Sequence, residues 1–74
     1  MTQPKYIVLN ECLMIIFDYR LNHEGMAEKF PYNEITSAGF VDLEKRTVHG
    51  YSMLLNLSSK SEDEILLRAL YPIQ

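Results

Sequence analysis

Seventy-four residues, 47% apolar and 23% charged, have the make-up of an ordinary soluble globular domain rather than a disordered tail. At this size a single core leaves only a few kcal/mol of net stability, so help from a partner is expected. A formal charge of −3, with basic side chains adjacent only at Lys45-Arg46, argues against a nucleic-acid partner, which would call for clustered Lys and Arg.

One cysteine cannot close an internal disulfide, and no secreted, cross-linked scaffold is implied. Tyr6 to Leu9, broken by Asn10-Glu11, is too short for a leader core or a membrane span, so a cytoplasmic protein with no membrane partner is expected. The chain reads as a single domain over 1–74, with 1–4 a loose terminus in which Pro4 suits a strand edge.

Tyr6 to Leu9 and the continuous apolar run Cys12 to Phe17 predict a hairpin joined by Asn10-Glu11, where Asn tolerates the positive φ of a tight turn. Both strands are apolar on both faces. Asn22 then reads as the N-cap of a short helix carrying Met26, Ala27 and Phe30, with Leu21 as a staple and Pro31 as the stop. Ile35 to Leu43 alternates as a third strand, and Gly39 within it marks a bulge or a close approach. After the polar turn Glu44-Lys45-Arg46, Thr47 to Leu57 predicts a fourth strand with His49, Tyr51, Met53, Leu55 and Leu57 on its richer face.

Ser61 and Glu64 have the spacing of a capping box, followed by the stripe Ile65, Leu66, Ala69 and Leu70, a Glu64–Arg68 pair and Pro72 as a stop. The expected fold is therefore α+β in the order β-β-α-β-β-α: a four-stranded, mainly antiparallel sheet with two short helices packed on one face. Helices on one face would leave the other apolar face of the first hairpin uncovered. Tyr6, Val8, Met14 and Ile16 are accordingly the expected interface of a homodimer or a partner complex.

Catalytic signals are thin. Cys12 reads as a small buried hydrophobe before it reads as a nucleophile, and no Gly-rich phosphate loop, paired-Cys motif or nucleophile elbow is present. His23, Glu24, Glu28 and His49 match no standard zinc spacing, so neither a metal nor any other cofactor is expected. Asp18, Tyr19, Arg20, Asn22 and His23 form the densest polar set, and Asp18, Arg20 and His23 are its candidate contacts to a small ligand or anion. The first expectation is a non-enzymatic protein-interaction or regulatory module; the alternative is a ligand or anion sensor built on the loop at 18–24.

Overall fold

The two apolar runs form the expected hairpin in a computed structural model that describes residues 3–72. β1 (Lys5–Leu9) and β2 (Leu13–Phe17) pair antiparallel, with Leu9 opposite Leu13 and Lys5 opposite Phe17. Asn10 (φ 53°) and Glu11 (φ 60°) take the left-handed conformation that mirror-image hairpin turns require. The connection nevertheless holds three residues: Cys12 leaves the strand, donates its amide to the Leu9 carbonyl at 3.0 Å and is exposed. It is not the buried hydrophobe its place in an apolar run implied.

Asn22 caps α1 (His23–Ala27), its side chain accepting the Gly25 amide. β3 (Ile35–Asp42) then pairs antiparallel with the other side of β1, with a register shift between Val8 and Leu9. Thr36 fills that irregularity: its hydroxyl accepts the Glu11 amide at 3.0 Å and donates to the Val8 carbonyl at 3.3 Å. Gly39 is a point of close approach, because a Cβ there would lie 2.6 Å from the His49 carbonyl and 3.3 Å from the Tyr6 ring.

β4 (Thr47–His49) completes a four-stranded sheet in the order β2-β1-β3-β4. The strand expected to run on to Leu57 stops here, since Gly50 turns the backbone at φ +82° and a β-carbon there would strike Phe40 at 2.8 Å. Beyond Gly50 the chain forms a separate two-stranded hairpin, β5 (Tyr51–Ser52) and β6 (Leu57–Ser58). Its turn is held by the Ser52 hydroxyl accepting the Leu55 amide and by left-handed Asn56.

α2 (Asp63–Leu70) begins one residue later than the capping box places it. Asp63 accepts the Lys60 amide at 3.1 Å, while the Glu64 carboxylate, expected to fold back on Ser61, reaches the Val48 amide at 3.0 Å. The buried side of the helix is Asp63 and Leu67, with Leu66 packed beside them; Ile65, Ala69 and Leu70 face outward.

The helices lie on opposite faces of the sheet, against the expectation of one shared face. α2 covers Tyr6, Val8, Met14 and Val41 through Leu67 and Leu66. On the other face Met26 and Phe30, with Leu55 and Leu57 of the second hairpin, cover Ile7, Leu9, Phe17 and Ala38. A first hairpin apolar on both sides needs cover on both, and the chain itself supplies it. The expected interface is thereby corrected: Tyr6, Val8 and Met14 are core and Ile16 is half-buried beneath α2.

Met1 and Thr2 of the expected loose terminus lie outside the described residues. Gln3 and Pro4 are held, Gln3 by the His49 ring and Pro4 by its carbonyl, which accepts the Val41 amide at 2.9 Å. Among the described residues no helix is long and apolar enough to cross a membrane.

Candidate functional site

With both faces covered, the surface left for binding lies at the margins of the sheet. Pro4 directs its carbonyl to β3, so by alternation the even-numbered residues of β1 face β3 and the odd-numbered ones face β2. The pairs Lys5–Phe17, Ile7–Ile15 and Leu9–Leu13 then turn the backbone of Leu13, Ile15 and Phe17 inward. The N–H and C=O groups of Met14 and Ile16 point outward, and among the described residues no protein group hydrogen-bonds to them.

Natural edges are blunted by charge, proline, bulges or shortness. Leu13–Phe17 has none of these: it is uncharged, free of proline, five residues long and regular in register with β1, and Leu13 is 49% exposed at its start. The opposite edge is treated differently. β4 is three residues long, and its outward amide, that of Val48, is taken by Glu64.

The loop at 18–24 does not assemble the expected contacts. Asp18 and Arg20 hold each other: the carboxylate accepts the Arg20 amide at 2.8 Å, Nε at 3.0 Å and a terminal guanidinium nitrogen at 2.9 Å. This pairing holds the Asp18 carboxyl down at about 2 and raises Arg20 further. Each thus satisfies the charge a ligand would have met.

His23 is 5% exposed, a core residue rather than a surface contact. Its Nε2 lies 2.9 Å from the Gly39 carbonyl, and its ring stands perpendicular to Phe17 and Phe40 at centroid distances of 5.6 and 5.7 Å. Burial lowers its pKa, outweighing the bond to Gly39, which favours the proton.

His49 sits on β4 and, like His23, packs against Phe40, but among the described residues no three His, Cys, Asp or Glu side chains converge as metal ligands. A hollow at the start of α2 is walled by Glu11, Glu62 and Asp63 with Lys60, a surplus of carboxylates unsuited to an anion. Asp63 there is buried and accepts the Tyr6 hydroxyl at 2.6 Å; burial first, then this bond, raises the phenol above its ordinary range. These groups tie β1 to α2. Comparison of the chain with protein-family models, with curated protein sequences and with solved structures finds no match.

Proposed function

We propose that this protein is a non-enzymatic interaction module that binds by strand addition along β2, with a second copy of the same chain as its partner. The observation that carries this reading is the unguarded edge: five uncharged residues whose outward groups at Met14 and Ile16 have no partner among the described residues. An extended strand in that position would satisfy them with main-chain hydrogen bonds.

A two-fold axis through Ile15 gives the fullest symmetric overlap. Met14 then pairs with Ile16 of the partner subunit, Leu13 meets Phe17 of the partner subunit, and the two Ile15 side chains face each other. Two four-stranded sheets become one continuous sheet with like faces aligned. Because the contact is a strand edge rather than a broad face, the dimer belongs to the weak, transient size class. The unpaired cysteine suits a reducing compartment such as the cytoplasm.

Light scattering behind a sizing column, over a wide range of concentration, tests the reading. The mass is expected to rise from 8.6 kDa toward twice that value, and Ile15→Lys to hold it at the monomer. Ile15 also packs on the Phe17 cluster, so a synthetic protein N-methylated at Ile16 serves as the second variant: it loses only an outward N–H. A monomer at every concentration, or a dimer indifferent to both changes, would overturn the proposal.

A further inference from the structure

The end of the sheet away from the first hairpin turn carries a groove of about 600 Å³, the size of a small-molecule site. Its wall is aromatic. Phe40 and His49 stack at 5.9 Å and 21°, and Tyr19, Tyr51 and Met53 surround them. Tyr51 and Met53 are 61% and 81% exposed, which places large apolar side chains in water at one spot.

The floor is built rather than incidental. The Phe40 ring is held by a perpendicular contact with the His23 ring and by stacking on His49, and it lies against Gly50, where an added β-carbon would strike it. Lys5 enters the groove from the cross-strand row Phe17–Lys5–Phe40–His49. Its ammonium donates to the Leu21 carbonyl at 2.8 Å, leaving further N–H donors, and it has no carboxylate partner among the described residues.

The charge of this groove runs against that of the molecule. The chain carries −3, yet Gln3, Lys5, Tyr19, Phe40, His49, Gly50, Tyr51 and Met53 include one cation and no acid. We propose that the groove binds a small aromatic carboxylate, its ring lying on the Phe40–His49 stack between Tyr19 and Tyr51 and its carboxylate on the Lys5 ammonium. Aromatic stacking holds the ring and a charge-assisted hydrogen bond orients it. None of the groove residues belongs to β2, so this site stands or falls independently of self-association.

Titration of the isotope-labelled protein with 2-naphthoate, followed by amide chemical shifts, tests the site against the neutral probe 2-naphthamide. The expected result is saturable shifts centred on Lys5, Phe40, Gly50 and Tyr51, with naphthoate bound more tightly than the amide. Lys5→Met should weaken naphthoate about tenfold and leave naphthamide unchanged, the size of one charge-assisted contact. Tyr51→Ala, at an exposed position, should weaken both. Equal affinity for the two probes, shifts centred elsewhere, or no shift at millimolar probe would overturn the proposal. Lys5→Arg keeps the charge and should retain the preference, which separates loss of charge from loss of the tie to Leu21.

Discussion

β4 and β2 close the same sheet at its two sides, but β4 runs for three residues, ends at Gly50 and has its outward amide occupied by Glu64, whereas β2 runs for five and offers Met14 and Ile16 unpaired. The difference follows from where α2 lies. The helix starts beside β4 and brings a carboxylate to it, and nothing in the described chain performs that task for β2. One side of the sheet is thus terminated and the other can be extended.

The most damaging way to break this contrast is Leu67→Ala. Leu67 is fully buried and seats α2, so the cavity should cost about 2–5 kcal/mol by urea denaturation, much of what a domain this small possesses. Next in size is Glu64→Ala, which frees the Val48 amide and should cost about 1.5–3 kcal/mol, the worth of a hydrogen bond to a charged group, reduced by the 27% exposure of the Glu64 side chain. With both edges then open, light scattering should detect species larger than a dimer; a stable variant that remains a dimer would show that Glu64 guards nothing. Ile15→Lys, on the open side, should raise the dimer dissociation constant at least about tenfold with a smaller loss of stability, since Lys can keep its charge in water.

His23 gives a pH test that leaves both edges intact. Its folded pKa lies below the ordinary 6.5, so the unfolded chain binds the proton more readily and stability is complete above that value. Stability should fall as pH drops below about 6.5 and flatten once the folded pKa is passed, and His23→Gln should remove this component from urea midpoints measured at neutral and mildly acidic pH. The smallest effect is expected from Asp18→Asn. Asp18 is depressed to about 2, so its contribution is present above the ordinary carboxylate value and disappears between about pH 4 and 2, but the pair is exposed and its loss should barely move the midpoint.

Local chemistry in the sequence carried the first hairpin, the Asn22 cap and the close approach at Gly39, because each depends on residues near one another or on a missing side chain. His49, Tyr51 and Met53, grouped by alternation as one strand face, do share a groove, although Gly50 rather than strand pleating brings them together. The misreadings have a common cause. Ser61 and Glu64 have ideal capping spacing, yet Glu64 is drawn to Val48 and Asp63 to Tyr6, partners 16 and 57 positions away that no local pattern encodes. The same holds for the helices: two-sided apolar strands state that both faces need cover, but not which element covers which. The loop at 18–24 looked like a site because it is dense in polar groups, and the structure shows that Asp18 and Arg20 satisfy each other.

The Tyr6–Asp63 bond joins the first hairpin to an element that leaves the ribosome later. The face of the first hairpin that holds Tyr6, Val8 and Met14 is translated before its lid, α2, the last of the described elements. For the seconds that elongation takes to cross the intervening chain, that face and the β2 edge are bare together on a nascent strand pair. Two neighbouring chains on one message would meet at this stage with more apolar surface than either presents once α2 has docked. The proposed β2 dimer would therefore have its best opportunity before α2 docks, and the Glu64 carboxylate that α2 brings to Val48 would then close the other side of the sheet.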